Sequence, residues 1–168
     1  MPVEASAPSP DRAAVRGLPP LYFLGPLVLA LVLQFLVLPL PLAFSDGPAH
    51  ATVWRTALGA LVGACGVALF GLTVVAHRRA GNDPHPTSPT TALILTGPYR
   101  VSRNPGYLGF ALLQGGIAVG IGSLWVLGSV IVSVLLAHYL AVLPEERYLE
   151  RKFGDPYRRY RHEVRRWI

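Results

Sequence analysis

From residue 21 to residue 42 the chain carries no charged side chain, and Gln34 is its one strongly polar group. The hydrocarbon core of a bilayer takes roughly 20 apolar residues in helical conformation to cross, so this stretch reads as a membrane-spanning helix. Three further stretches approach the same character: residues 54–76, with Arg55 near the start, residues 107–122 and residues 124–143. The last two follow each other almost without a break around Gly122 and Ser123, which predicts a tight hairpin. The third is short and needs Trp125 and local bilayer thinning to span. The expected fold is therefore all-α and integral to the membrane, with four transmembrane helices.

Composition agrees. Charged residues make up 14% of the chain and hydrophobic residues 52%, against about 25% charged in an ordinary soluble domain. Residues 21–168 are expected to form a single domain, and residues 1–20, rich in Pro, Ala and Ser, a disordered leader. That leader is too long and mixed in charge for a signal n-region, so the first apolar stretch reads as a retained anchor. Cys65 is the only cysteine, which excludes an intrachain disulfide and a thiolate metal site, and no metal is expected. The net charge of +6 has a topological meaning first. Arg12 and Arg16 precede the first stretch, and only Arg55 lies by the first loop. Arg78, Arg79, Arg100 and Arg103 lie between the second and third, and eight Lys and Arg follow the fourth. An even number of spans and this asymmetry put both termini in the cytosol. Outside the tail no patch interleaves basic and aromatic residues, so no nucleic-acid partner is expected. Gly59 with Gly63, and Gly116 with Gly120, place small residues on one helix face. They suit close packing or reflect the general frequency of glycine in membrane helices.

Polarity returns in two places. Residues 78–106 hold Gly81, Pro84, Pro86, Pro89, Gly97, Pro98 and Pro105, which forbids a long helix; turn chemistry and the anchors Tyr99 and Tyr107 predict an ordered, functional loop. After the fourth stretch the helix is expected to continue through Glu145 and Glu146 and to end at Gly154. Asp155 and Pro156 then start a last helix. In it Tyr157, Tyr160, Val164 and Trp167 fall on one face and five arginines on the rest. That pattern predicts an amphipathic helix lying in the headgroup layer, with membrane lipid as a partner. His138 is an ionisable group inside a span, hence a candidate for function. At seven residues before Glu145, it would share that residue's helix face.

The segment TGPYRVSRNPGYLGF (96–110), followed after the hairpin by EERYLERKFGDPYRRYRHEVRRW (145–167), resembles the isoprenylcysteine carboxyl methyltransferase family in its bacterial members, and phospholipid methyltransferases share the plan. The resemblance covers the later half of the chain. It implies an S-adenosylmethionine-dependent methyltransferase with its cofactor held on the cytosolic side by Thr91, Ala92, Leu93, Ile94, Tyr99, Asn104, Pro105, Gly106, Tyr107 and Glu145. His138 and Arg103 are the catalytic candidates, the first as a base, the second to neutralise an acceptor anion or to anchor the loop to headgroups. Two positions depart from the family. Asn104 stands where His is common, which keeps hydrogen bonding and removes titration. Ala141 stands where eukaryotic members carry the arginine that binds prenylcysteine. The acceptor is expected to be the carboxylate or amine of a lipophilic or lipidated molecule. An NADPH-dependent membrane reductase of a sterol-like or enone substrate, or a non-catalytic scaffold, would use a similar architecture.

Overall fold

The computed structural model describes residues 13–42, 49–83 and 88–168, without the side chains of residues 49 and 50. Helix α1 (Pro19–Val32) opens on the Pro19–Pro20 pair, whose fixed φ suits a first helical turn. It runs on through a π-helical turn, Leu33–Val37. Helix α2 (Ala49–Arg79) is the longest. A 3₁₀ turn (Gly97–Arg100) leads into α3 (Pro105–Ile121). Gly122, at φ +70°, closes α3 in the left-handed conformation that glycine adopts at least cost. One residue later Ser123 caps α4 (Leu124–Ala137), its Oγ accepting from the Val126 N–H. A second π-helical turn (His138–Val142) joins α4 to α5 (Leu143–Phe153), so that the chain from Leu124 to Phe153 is a single rod. Helix α6 (Asp155–Glu163) completes the order. Among the described residues there is no strand, only an isolated bridge between Pro41 and Ser123.

Three helices are long and apolar enough to cross a membrane: Pro19–Val37, Ala51–Arg79 and Leu124–Phe153. Helix α3, at 17 residues, is apolar but shorter, and its partner is α2. A Cβ on Gly59 would stand 2.5 Å from the Gly120 nitrogen, one on Gly66 2.5 Å from the Gly109 carbonyl, and one on Gly116 2.5 Å from the Gly59 carbonyl. Backbone therefore touches backbone, and of the two readings of these glycines the packing one holds. Gly66 and Gly109 extend the seam beyond the pairs expected from the sequence. On the other flank α1 packs on the rod through small residues, with Ala137 and Ala141 against Tyr22 and Phe23, and Ala30 against Ala118 and Val126.

Three boundaries differ from expectation. The first apolar stretch leaves the helix after Val37 and turns extended, so that the Leu42 N–H reaches the Gly122 carbonyl and the Leu124 N–H the Leu40 carbonyl. Gln34 supports this turn by accepting from Leu40 N and from Ser123 Oγ. Residues 1–12 lie outside the described residues, as do 84–87 of the loop; residues 13–18 touch the rest of the protein at a few points and are otherwise mostly exposed. Ala13 is buried, the Arg16 N–H donates to the Leu140 carbonyl, and Tyr22 donates its hydroxyl to the Arg16 carbonyl. Finally, α6 stops at Glu163 and Val164 is extended, so the aromatic stripe does not continue to Trp167 on one helix face. Tyr157 and Tyr160 are buried inside the protein and are not offered to headgroups.

Candidate functional site

Where α2 ends and α3 begins, the α4–α5 rod and the loop enclose a cavity of about 240 Å³. Phe70 of α2 and Phe110 of α3, with ring centroids 4.7 Å apart, both line it. Asn82 folds the loop over this end of α2. Its Oδ1 accepts from the N–H groups of Thr91 (2.8 Å) and Ala92 (2.9 Å), and its Nδ2 donates to the Ala92 carbonyl (2.7 Å). Tyr148 of α5 takes the Thr90 N–H at 3.1 Å. Tyr160 of α6 donates its hydroxyl to the Tyr99 carbonyl at 2.7 Å. Helices α5 and α6 thus hold the loop from the far side.

The two neighbouring glutamates have different partners. Glu146 is buried and receives Nε and Nη2 of Arg166 at 3.0 and 2.8 Å, a two-point grip, with Nη1 of Arg103 at 3.3 Å. The tail is sewn to the same place by its backbone: the Arg166 carbonyl accepts from Asn104 Nδ2 (3.0 Å) and Ser102 Oγ (3.3 Å), and the Arg165 carbonyl accepts from the Arg103 N–H (3.0 Å). Glu145 faces the cavity and accepts from the Tyr107 hydroxyl at 2.7 Å. Among the described residues no Arg, Lys or His lies within ion-pair distance of it. Burial first, and the Glu145 charge second, hold the Tyr99 hydroxyl well above the usual phenol range. Burial and then Glu146 push Tyr157 up to about 12. Both phenols stay protonated at neutral pH and remain available as donors.

Of the residues expected at the site, Ala92, Leu93, Ile94, Tyr99, Arg103, Asn104, Pro105, Gly106, Tyr107 and Glu145 all line this cavity. Thr91 does not; its hydroxyl is turned to Asn82 Oδ1 (2.6 Å) and the Gly81 carbonyl (3.2 Å). His138 does not either. Its ring packs on Tyr139 and, at 6.3 Å between centroids, on Trp167. The reason is local: a spacing of seven residues returns to one face only in a regular α-helix, and the wider π-helical turn His138–Val142 underwinds the chain between His138 and Glu145. Arg103 is no headgroup anchor, since its side chain is 9% exposed and paired to Glu146. The Asn104 side chain holds the tail carbonyl. His77, Thr73, Asn82 and Tyr148 also line the cavity and carry no signal in the sequence, because each is placed by contacts that only the folded chain makes.

A model of phospholipid methyltransferases matches residues 54–156, which run from α2 to the first turn of α6 and include the glycine seam, the loop and both glutamates. Over 39 residues the chain is 51% identical to an uncharacterized protein of Haemophilus influenzae, a match covering 23% of this chain and 62% of that protein's length. No solved structure matches. The family match takes in well over half of the chain and most of the elements that build the cavity, so the chain belongs to the phospholipid methyltransferase family.

Proposed function

We propose that this protein is a membrane-embedded methyltransferase that takes its methyl group from S-adenosylmethionine and delivers it to the carboxylate or amine of a lipophilic acceptor, isoprenylcysteine-like molecules among the candidates. The observation that carries this reading is Glu145, a carboxylate facing a cavity rimmed by aromatic rings, with no cation beside it among the described residues. Holding a bare carboxylate in such surroundings costs several kcal/mol unless a positive charge joins it. A ligand that brings a cation relieves that cost. S-adenosylmethionine, when bound, supplies an electrophilic methyl group on a positively charged sulfur, and its amino group is a second cation. The donor set fits: Glu145 for positive charge, the rings of Phe70, Phe110 and Tyr99 for cation–π attraction, and the backbone of Leu93 and Ile94 for the base. Tyr107 fixes the rotamer of Glu145 through its 2.7 Å hydrogen bond.

In this reading four helices span, α3 with the help of α2, and the loop, α5 and α6 face the cytosol with both termini, in a bacterial plasma membrane. The acceptor and the surrounding membrane lipid are the partners. A dinucleotide such as NADPH is disfavoured by the same carboxylate, which would repel its phosphates. Ala141, where eukaryotic members of the similar family carry arginine, is wholly buried against Tyr22 and Phe23, so an acceptor carboxylate finds no cation there.

Titration calorimetry of S-adenosylmethionine into the full chain in nanodiscs tests the reading. Glu145→Gln keeps the shape and removes the charge; losing a charge-assisted contact of about 1.5–3 kcal/mol should weaken binding roughly ten- to a hundredfold. Equal affinity for wild type and variant, or no binding by the wild type, refutes it.

A further inference from the structure

We propose that His77 is the proton acceptor of this reaction, taking a proton from an amine acceptor before the methyl group is transferred; the proposal rests on the methyltransferase reading above. His77 stands in the last turn of α2 and lines the same cavity as Glu145. Its Nδ1 lies 3.0 Å from the Thr73 carbonyl. A carbonyl only accepts, so Nδ1 carries the hydrogen and Nε2 keeps the lone pair of the neutral ring. Every hydrogen bond of the ring among the described residues falls on Nδ1, the Tyr99 hydroxyl at 3.5 Å included. The Tyr99 ring meets the imidazole edge-on at 5.8 Å between centroids and limits its rotation. Thr73 is itself buried and held by its Oγ1, which donates to the Leu69 carbonyl at 2.9 Å. The tautomer is therefore built into the end of α2.

The other ionisable groups are committed elsewhere. Nδ1 of His138 is sealed in the interior without a partner, away from the cavity. Glu145 would lose the charge that holds the cofactor if it took a proton. Asp83, which also lines the cavity, is exposed and accepts from Ser88, and a carboxylate in water is a weak base. Arg103 has no lone pair to offer.

The step balances without a further reagent. The acceptor ammonium gives one proton to Nε2, leaving a neutral amine and an imidazolium. The amine lone pair forms the nitrogen–carbon bond to the methyl group while the carbon–sulfur bond breaks and its electron pair stays on sulfur. The imidazolium then returns its proton to water. A carboxylate acceptor is already ionised and has no use for the residue.

The experiment uses the full chain in nanodiscs with S-adenosylmethionine and two acceptors, phosphatidylethanolamine and a prenylated cysteine carboxylate. His77→Gln should lower kcat on the amine roughly 10²–10⁴-fold, the usual share of a general base. Cofactor affinity by calorimetry should stay within about twofold, which also reports the fold. Added imidazole should restore turnover in His77→Ala. Independently of activity, ¹⁵N spectra of selectively labelled protein should show His77 with its hydrogen on Nδ1. Turnover of the amine within about threefold of wild type, failure of imidazole to restore it, an Nε2-protonated ring, or turnover of the carboxylate alone each overturns the role of His77 while leaving the methyltransferase reading standing. A wild type that does not bind S-adenosylmethionine removes both.

Discussion

In the apolar half of the molecule α2 meets α3 backbone to backbone, through glycines whose missing Cβ atoms are the condition of contact. In the polar half α5, α6, the loop and the tail meet through long side chains: Glu146 with Arg103 and Arg166, Tyr160 with the Tyr99 carbonyl, Asn82 with residues 91 and 92. Lipid offers no hydrophobic drive between helices, so association there depends on close packing. Next to water, burial of aromatic rings and charge-assisted hydrogen bonds take over. The apolar half should therefore tolerate almost any change away from its seam, while the polar half should respond group by group.

The largest effect is expected at the seam. Gly116→Leu places a Cβ 2.5 Å from both the Gly59 carbonyl and the Gly63 nitrogen, and neither can retreat without separating the helices. Overpacking of this kind costs about 3 kcal/mol or more, and size-exclusion profiles should show loss of folded, monodisperse protein. At Gly71 and Gly128 an added Cβ meets nothing within 4 Å, and Gly71→Leu or Gly128→Leu should leave the profile unchanged. If both kinds of change are tolerated, the seam does not hold the apolar half together.

Glu146→Gln comes next. It leaves Arg103, buried at 9% exposure, without its counter-charge, and loosens Arg166 and the tail that Ser102 and Asn104 grip. Removing one member of a buried ion pair costs about 3–5 kcal/mol. The variant should melt earlier in detergent, and a protease should clip the last residues sooner. Glu145→Gln is the matched opposite: that carboxylate has no cation to lose among the described residues, so relief of a buried charge should leave the variant melting no earlier than the wild type while cofactor affinity falls. A Glu145 variant that melts as early as the Glu146 variant would show that the two carboxylates share one structural task.

How far the sequence reached follows the same division. Charge-free stretches and capping residues depend on near neighbours in the chain, so the apolar helices, the Gly122–Ser123 turn and the break at Gly154 were readable to within a few residues. Through the family resemblance most of the loop positions that line the cavity were named. The partner of Glu146 was not, because Arg103 and Arg166 are brought to it from remote parts of the chain. Register across a π-helical turn was not readable either: nothing in the sequence of residues 138–142 announces the underwinding that turns His138 away from Glu145. The buried positions of Tyr157 and Tyr160 were mistaken for a lipid-facing stripe, since helical spacing shows that a face is apolar and not what covers it.

The smallest effect expected lies at the opposite end of the apolar half from the site, where a polar cluster closes the hairpin. Ser123 Oγ accepts from the Val126 N–H at 3.3 Å and donates to Gln34 Oε1 at 2.8 Å, and Gln34 Oε1 also takes the Leu40 N–H at 3.2 Å. Ser123→Ala removes a helix cap, worth about 1 kcal/mol, and one of the two donors to Gln34. The carbonyl oxygen of Gln34 keeps Leu40 as a partner, so a full desolvation penalty does not follow, and a total loss of about 1–2 kcal/mol is expected. Gln34→Leu should cost a similar amount, since it strands the Ser123 hydroxyl and the Leu40 N–H together. Because the two changes share one hydrogen bond, the double variant should be less destabilised than the sum, by about 0.5 kcal/mol or more. Denaturant unfolding in detergent measures all three. Strict additivity would mean that the hairpin is closed by its backbone bridge alone, through Leu42 with Gly122 and Leu124 with Leu40. The polar cluster would then contribute nothing of the side-chain-by-side-chain kind that governs the other end of the molecule.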